Sequence, residues 1–263
     1  MITQTVTSVH NPKIKQLLAL QQKSSERRES GIFVVEGKRE IMHCLEAGFK
    51  VETAFVCPEL LGEELPVLGD FTTVQVTKEV YARISYREST EGIIAEVRSR
   101  QLSLEDLPDR KDPLLIVLER VEKPGNLGAV LRSADACGAD AVIVCDPLTD
   151  IYNPNLIRAS IGAVFTVPTV ACTSGEAISW LKKKGISILT AQLQDSALYY
   201  DTDMTKGTAI VMGTESTGLT ETWRKAADAH IRIPMLGRLD SLNVSVSAAI
   251  LLFEAVRQRQ EKK

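Results

Sequence analysis

Short runs of uninterrupted apolar residues recur from residue 114 onwards, and segments of helical pattern separate them. The runs without any charged side chain span residues 114–118, 141–145 and 209–212. A strand that covers one face of a sheet alternates apolar and polar residues, whereas a wholly apolar strand is buried on both faces. We therefore predict a parallel sheet covered by helices on both sides, with further strands near 186–190 and 229–233 and a first helix over 126–137.

The first hundred residues have a different organisation. Asn11 and Pro12 are typical of a helix start, because Asn caps free backbone N–H groups and Pro fits the first helical position. The apolar pattern predicts strands at 32–35, 51–56, 73–76 and 92–97 and a helix at 38–46. The polar stretch 99–113 ends in Pro-Asp-Arg-Lys-Asp-Pro and is typical of a linker. We predict a small α/β domain over 1–106 and a parallel-sheet domain over 107–263.

Composition narrows the class of protein. The 263 residues carry a net charge of −3 with a pI near 5.8, which argues against non-specific coating of nucleic acid. Residues 10–39 nevertheless hold seven Lys or Arg residues and only three Glu residues. We expect no membrane span, because no apolar run approaches ~18 residues, and no secretory signal, because the N-terminus has no apolar core behind a basic start. Five irregularly spaced cysteines without a Cys-x-x-Cys pair predict reduced thiols, no metal site and a cytoplasmic protein.

Three segments place polar or glycine residues directly after apolar strands, where ligands of open α/β sheets bind. The first contains Asn126, positioned to cap a helix, and Arg132, less than two turns into that helix. The second continues from the strand at 209–212 into Gly213 and Gly218. It is not a phosphate-binding P-loop, because Leu219 stands where such a loop carries Lys. Glycines at a strand end instead favour close approach of the backbone to an uncharged ring such as adenine.

The third segment runs from Ile233 and Pro234 into Ser241, Leu242 and Asn243, just before an apolar helix that begins near residue 244. Hydroxyl and amide side chains in such apolar surroundings need hydrogen-bond partners, which are either backbone groups or a ligand. Taken singly, the three segments are also compatible with ordinary structural roles, as a helix cap, a turn and a second helix cap.

Taken together, the three segments resemble the three motifs of the SpoU/TrmH RNA methyltransferases, a family of the SPOUT superfamily. Their order and spacing match over residues 114–260, and residues 33–37 are similar to the family's ribosomal-protein-like domain. The resemblance implies an α/β fold in which a small substrate-binding domain precedes a parallel-sheet SPOUT domain with a deep trefoil knot. It also implies S-adenosylmethionine as methyl donor, a ribose 2′-hydroxyl of RNA rather than DNA as acceptor, and a homodimer.

The resemblance assigns roles to individual residues. It implies a catalytic role for Arg132, Asn126, Glu215, Ser241 and Asn243. It implies a donor-binding role for Gly213, Ile233, Leu242, Met212 and Pro234. Arginine normally stays protonated, so a role of Arg132 as a free base is physically demanding. The alternative is that Arg132 stabilises a developing alkoxide electrostatically. The chain departs from the family pattern at Thr214 and Ser216, where many relatives have Asn and Gly, and this affects the expected pose of the donor.

The basic stretch near the N-terminus is interpreted as a phosphate-binding surface, with a solvated helix face as the alternative. Its candidate RNA-binding residues are Lys13, Lys15, Arg27, Arg28, Lys38 and Arg39. A separate N-terminal domain resembles the members that act on ribosomal RNA, which favours ribosomal RNA as the acceptor. Other functions stay open: a non-catalytic RNA-binding or ribosome-assembly factor, a tRNA methyltransferase, or a base methyltransferase on the same fold.

Overall fold

The computed structural model describes residues 2–62, 71–86, 91–214 and 216–261. The chain divides into two compact units. One unit consists of Met1–Arg100 with Tyr152–Thr166, and the other of Gln101–Ile151 with Val167–Lys263. Within the described ranges, every helix is too short or too polar to span a bilayer.

The first unit is a mixed α/β structure. The elements of its first hundred residues are β1 (Ile2–Val6), α1 (Pro12–Gln22), α2 (Ser24–Ser30), β2 (Ile32–Glu36), α3 (Lys38–Glu46), β3 (Val51–Val56), α4 (Pro58–Leu61), β4 (Thr72–Val76), α5 (Lys78–Ile84) and β5 (Ile93–Arg98). Among the described residues, five strands form a sheet in the order β1-β4-β3-β5-β2. β1, β4 and β3 run parallel, whereas β5 runs antiparallel to both β3 and β2.

The predicted helix start, strands and helix of this region are confirmed. The side chain of Asn11 accepts the N–H of Lys13 at 2.9 Å, and Pro12 is the first residue of α1. Strands β2 to β5 and helix α3 agree with the predicted ranges to within one residue at either end. Helix α1 buries Ile14 and Leu17 in one apolar cluster with residues of β2 to β5. Burial of such side chains stabilises the unit by about 2 kcal/mol each.

The rest of the chain supplies a parallel sheet. Its elements are β6 (Leu114–Glu119), α6 (Pro124–Cys137), β7 (Ala141–Cys145), α7 (Pro154–Ala159), α8 (Ala163–Thr166), β8 (Thr169–Cys172), α9 (Ser174–Lys184), β9 (Ser187–Ala191), β10 (Ala197–Leu198), β11 (Thr208–Met212), α10 (Glu221–Ala226), β12 (Ala229–Arg232) and α11 (Val244–Glu261). Seven strands of the described residues lie in the order β10-β12-β9-β11-β6-β7-β8. Every neighbouring pair is parallel. The predicted parallel sheet is thus confirmed, and β6, β7 and β11 are buried throughout.

One predicted boundary in this unit is wrong. Helix α6 begins at Pro124, and Lys123 occupies the cap position, so Asn126 lies inside the first turn and does not cap the helix. The reason is that Pro has no N–H to lose at the first helical position, which lets the helix start there. Strands β8 and β10 were not predicted. β10 has only two residues, and β8 ends in partly exposed positions, so neither shows a continuous apolar run.

The segment Tyr152–Thr166 belongs to the first unit although it follows β7 in the chain. The ring of Tyr152 stacks on that of Phe33 with 4.2 Å between centroids, and the ring of Phe165 lies 5.9 Å from the same Phe33. Aromatic pairs at such distances stabilise a contact beyond simple burial. The predicted division at residues 106 and 107 follows the order of the chain and does not include this return to the first unit.

Two carboxylates order the carboxyl edge of the parallel sheet. The buried side chain of Glu119, at the end of β6, accepts the N–H of Thr220 at 2.8 Å and its hydroxyl at 2.7 Å. Asp146, directly after β7, accepts the hydroxyl of Ser174 at 2.6 Å. Thr220 and Ser174 stand at the starts of α10 and α9, where free N–H groups favour negative charge. The polypeptide that follows β11 is therefore held in place by β6.

Candidate active site at the carboxyl edge of the parallel sheet

A cleft of about 550 Å³ opens where β9, β11 and β12 end. Parallel strands present their carboxyl ends on one edge of the sheet, and the loops that leave them form a cavity there. The volume lies in the range of small-molecule sites. The residues that line the cleft are Ala191, Gln192, Leu193, Gln194, Met212, Gly213, Thr214, Gly218, Leu219, Arg224, Ile231, Arg232, Ile233, Met235, Asp240, Ser241, Leu242, Asn243, Val244, Ser247 and Leu251.

Most of the predicted donor-binding residues line this cleft. They are Met212, Gly213, Ile233 and Leu242, and the neighbouring Pro234 does not line it. The wall that they form is largely apolar, and the polar side chains of Arg224, Asp240 and Ser241 line the same cleft. Such a lining suits a flat heterocycle that carries a polar tail.

The loop after β11 explains the need for glycine at its start. A Cβ at residue 213 would overlap the backbone of Gly218, because the loop closes on itself there. Thr214 and Gly218 exchange two backbone hydrogen bonds, of 3.3 and 3.1 Å, and Gly218 has a φ of +67°. The close approach predicted for Gly213 is thus an approach to the loop itself. Glu215, a predicted catalytic residue, lies outside the described residues.

The departure from the family pattern at residue 214 has a structural consequence. The hydroxyl of Thr214 accepts the N–H of Thr217 at 3.0 Å and lies 2.8 Å from the hydroxyl of Thr217. These hydrogen bonds of the Thr214 side chain form a turn that stiffens the loop, and residue 216 of this turn is not a glycine. The hydroxyl of Ser216 lies 3.5 Å from that of Thr214.

Two asparagines connect the first and third segments. The amide nitrogen of Asn243 donates to the side-chain oxygen of Asn126 at 3.2 Å. The oxygen of Asn243 accepts the N–H of Ser245 at 3.0 Å and its hydroxyl at 2.6 Å, so Asn243 also caps α11. Asn126 lines a second cavity of about 110 Å³, which shares Gly213, Thr214 and Val244 with the main cleft. The structural and the functional interpretation of Asn243 are therefore both compatible with its contacts.

The other predicted catalytic residues are distributed unequally. Ser241 lines the main cleft, and its hydroxyl donates to Asp240 at 3.1 Å. Arg132 lines neither of the two cavities described, and its side chain is exposed on α6. Leu127, Val130, Leu131 and Ala134 of the same helix are buried on the opposite side. Within one protomer the structure does not bring Arg132 to the cleft, because its position in the helical turn points it away from the sheet.

Arg224 is a cleft residue that sequence reasoning missed. It lies on α10, and its Nε is buried without a hydrogen-bond partner within the described part of the chain. Its guanidinium lies 3.8 Å from a carboxylate oxygen of Glu221 on the same helix. A buried guanidinium nitrogen without a partner is costly unless a ligand supplies an acceptor. The sequence offered one signal, an Arg in the helix that directly follows the glycine-bearing loop.

The predicted RNA-binding residues of the first unit differ in exposure. Arg27 is buried, and its guanidinium donates to the backbone oxygen of Leu20 at 2.5 Å, so its predicted phosphate contact is wrong. The reason is that Arg27 lies on the inner side of the short helix α2. Lys38 donates to the backbone oxygen of Leu61 at 2.8 Å and is half-buried. Lys13 is also half-buried, whereas the exposed candidates are Lys15, Arg28 and Arg39.

Comparison with known proteins gives matches over nearly the whole chain. The pattern of the SpoU rRNA Methylase family matches residues 113–253, and that of the MRM3-like substrate binding domain matches residues 11–95. A protein of Streptomyces viridochromogenes named 23S rRNA (uridine(2479)-2′-O)-methyltransferase is 32% identical over 260 residues. That alignment covers 95% of this chain and 91% of the relative.

Solved structures agree with these matches. A crystal structure of an RNA 2′-O ribose methyltransferase is 40% identical and superposes with a TM-score of 0.85, covering 97% of this chain and 99% of the other. The AdoMet-bound rRNA methyltransferase of Sinorhizobium meliloti is 30% identical with a TM-score of 0.87, covering 96% of this chain and 97% of the other.

Proposed function

Because this chain belongs to the SpoU rRNA methylase family, we propose that it transfers a methyl group from S-adenosylmethionine to a ribose 2′-hydroxyl of ribosomal RNA. The observation that carries the proposal is the meeting of three separate segments around one cleft. Gly213 and Leu242 line that cleft together, and Asn126 is hydrogen-bonded to Asn243 at its edge. Two of the relatives above are named as 2′-O-methyltransferases of RNA, and the third is named as an rRNA methyltransferase and described as AdoMet-bound.

The cleft residues fit the donor. Met212, Ile233 and Leu242 offer an apolar surface to adenine, and the backbone at these strand ends offers hydrogen-bond groups. Asp240 and Arg224 supply one negative and one positive charge for the amino and carboxylate groups of the methionine part. The Nε of Arg224, which has no hydrogen-bond partner among the described residues, matches a ligand acceptor. The bound sulfonium supplies an activated methyl group, so the chain's own work is alignment and the handling of one proton.

Alignment of the acceptor is assigned to the amides at the edge of the cleft. The hydrogen bond between Asn126 and Asn243 fixes the direction of both side chains, and the cap that Asn243 forms on α11 fixes its backbone. A preorganised pair of this kind places a ribose without further ordering cost. Alignment of two reactants lowers a barrier by up to about 7–11 kcal/mol.

Stabilisation of the alkoxide that forms as the 2′-hydroxyl loses its proton to solvent is assigned to a composite site that includes Arg132. Its guanidinium would stabilise the developing alkoxide and hold a neighbouring phosphate, because arginine does not act readily as a free base. Arg132 is exposed and away from its own cleft, so this role requires a second protomer. We propose a homodimer in which Arg132 reaches the cleft of the partner.

Exposed apolar side chains support this dimer. Leu236 is 97% exposed in the loop before α11, and Phe253 is 49% exposed on α11 itself. Val246 lies two turns before Phe253 on that helix and is exposed as well. Helix α11 packs against α6, which carries Arg132. An exposed apolar surface of this extent is typical of an interface between subunits.

The remaining assignments follow from the same function. The first unit would bind the RNA, with Lys15, Arg28 and Arg39 as its phosphate-contacting residues. The division into a substrate-binding domain over 1–106 and a catalytic domain over 107–263, the trefoil knot and a cytoplasmic location stay predictions. The roles of Glu215 and Pro234 also stay predictions.

Alkaline digestion distinguishes the possible activities. The purified protein is incubated with methyl-labelled S-adenosylmethionine and ribosomal RNA that lacks the modification, and the RNA is then hydrolysed in alkali. A methylated 2′-oxygen cannot attack its phosphate, so the expected label is in alkali-resistant dinucleotides. Label in mononucleotides would show base methylation. Absence of label from ribosomal RNA, with donor binding intact, would favour a non-catalytic RNA-binding factor, and label in tRNA alone a tRNA enzyme.

A further inference from the structure

Tyr86 stands out on the surface of the first unit. It follows the end of α5, and its side chain is 41% exposed. Its backbone N–H donates to the carboxylate of Glu36 at 2.7 Å, so the residue is anchored although its ring faces solvent. A single exposed aromatic residue is ordinary by itself. The contact on its ring is what makes it a candidate site.

Arg158 covers that ring. Its guanidinium carbon lies 4.8 Å from the centroid of the Tyr86 ring. Arg158 belongs to α7, within the segment that returns to the first unit, and its guanidinium also donates to the side chain of Asn155 at 3.4 Å. The hydrogen bond to Asn155, on the same helix, therefore helps to hold the guanidinium of Arg158 over the ring. A planar cation above an aromatic ring forms a layered surface whose faces accept further stacking.

The charge of the two contributing segments is positive. Residues 152–166 contain no Asp or Glu and one Arg, which is Arg158. Residues 81–86 contain one charged residue, the exposed Arg83. The nearby Glu36 is already engaged by the Tyr86 N–H. An aromatic ring with an arginine stacked on it is a combination that single-stranded nucleic acid binds, through base stacking and phosphate contact.

We propose that Tyr86 and Arg158 form a stacking site for one unpaired base of the RNA, separate from the cleft that binds the donor. The site rests on the proposed function for the identity of its ligand. A duplex keeps its bases stacked inside the helix, so the site selects single-stranded loops or bulges over paired segments. Arg83 and Arg158 contact the adjoining phosphates, which adds affinity without sequence information.

The experiment measures binding of the full-length protein to a fluorescent single-stranded RNA and to a duplex of the same sequence by anisotropy. Tyr86→Ala, Tyr86→Leu and Arg158→Met are each expected to weaken single-strand binding about tenfold, as for the loss of one stacked base. Tyr86→Phe keeps the ring and is expected to stay within about twofold of the wild type, and duplex binding should change little.

A matched control is Tyr200→Ala, because Tyr200 is another exposed tyrosine and lies in the second unit. It should leave RNA binding unchanged. Binding of S-adenosylhomocysteine by calorimetry should be the same in all variants, which separates this site from the donor cleft. Unaltered single-strand affinity of both Tyr86→Ala and Tyr86→Leu would overturn the inference, as would an equal loss for Tyr86→Phe. If the wild type methylates RNA but the Tyr86 variants bind single-stranded RNA as tightly as it does, the stacking site alone is rejected. If the variants lose affinity as expected but the wild type methylates no RNA, the proposed function alone is rejected.

Discussion

The amide pair of Asn126 and Asn243 joins two segments that lie more than a hundred residues apart in the sequence. Their 3.2 Å hydrogen bond stands between the main cleft and the smaller cavity beside it. Asn243 has a second function as a cap of α11, whereas Asn126 lies inside α6. The two residues therefore differ in what their removal should cost.

Asn126→Ala is expected to reduce methyl transfer by at least about a hundredfold while the free energy of unfolding changes by no more than ~1 kcal/mol. Asn243→Ala should lose activity and also destabilise the fold by about 1 kcal/mol more, through the lost cap. Single-turnover rates and urea titrations measure the two quantities. Asn126→Ala with normal turnover would show that the pair is only structural.

Arg224 lines the cleft, and its buried Nε has no hydrogen-bond partner in the part of the chain that the structure describes. If it binds the donor's carboxylate, Arg224→Met should weaken S-adenosylhomocysteine binding by about tenfold, the range of one charge-assisted hydrogen bond. Methylthioadenosine has no carboxylate, and its affinity should not change. Calorimetry with both ligands makes the comparison, and an equal loss of affinity for the two would place Arg224 against the nucleoside instead.

Two of the cleft residues, Gly213 and Ile233, directly follow the ends of β11 and β12, and Leu242 lies shortly before α11. The strand prediction and the rule that parallel strands share a carboxyl edge place Gly213 and Ile233 at that edge, whereas the donor-binding roles of these two residues and of Leu242 came from the resemblance to the family. Arg224 and Arg132 lie on helices, where a position is set by the helical phase and by packing. That phase was uncertain from the sequence, since the start of α6 was placed two residues late.

The link between β6 and α10 depends on one buried carboxylate. Glu119 accepts two hydrogen bonds from Thr220 and so fixes the helix that carries Arg224. Glu119→Ala should lower the free energy of unfolding by roughly 2–3 kcal/mol, because it removes both bonds and leaves a cavity. Thr220→Val removes only the hydroxyl partner and should cost about 1 kcal/mol. Chemical denaturation tests this order, and equal costs for the two changes would contradict it.

Strands buried on both faces were predictable, because a short continuous apolar run bounded by turn residues is compatible with few other structures. β10 escaped prediction because a strand of two residues has no pattern, and α7 and α8 because tertiary contacts of Tyr152 and Phe165 hold them. The return of this segment to the first unit depends on packing between aromatic rings that lie far apart in the sequence. No local signal carries that information.

Stability of the whole molecule should depend on the buried Glu96 of β5. Desolvation raises the pKa of Glu96 to about 7, opposed by a hydrogen bond from Thr53 and reinforced by the charge of Glu52. The folded state therefore holds a proton that the unfolded chain releases at lower pH. Stability is complete below the ordinary carboxyl pKa and falls as pH rises through about 7.

Glu96→Gln removes this ionisation. The variant and the wild type should have similar free energies of unfolding at pH 4.5, and at pH 8.5 the variant should be more stable by roughly 2–3 kcal/mol. Urea titrations at a series of pH values give the comparison. A variant that is less stable than the wild type at high pH would show that the carboxylate is favourably solvated or paired.

The proposed dimer can be tested by complementation of two inactive variants. Arg132→Ala lacks the guanidinium, and Leu242→Trp blocks the donor cleft. If Arg132 acts across the dimer, a mixed dimer contains one intact site, and an equal mixture after subunit exchange should regain about a quarter of wild-type activity. If Arg132 acts within its own protomer, the mixture stays inactive. Light scattering confirms that both variants are dimers.

The architecture of the whole molecule was the least accessible to local sequence patterns. Two units and a parallel sheet followed from apolar runs, a polar linker and the order of elements. The knot and the dimer entered only through the resemblance to a family, because general rules of chain topology disfavour knots. Arg132 shows the consequence, since one protomer alone does not bring this residue to the donor cleft.

A map of 2′-O-methylated nucleotides decides whether these residues form a ribose methyltransferase. Ribosomal RNA is compared from cells that lack the gene and from cells complemented with the wild type or with Asn126→Ala. We expect one 2′-O-methyl position to disappear with the gene, to return with the wild type and to stay absent with the variant. Identical methylation maps in all three strains would contradict the proposed function.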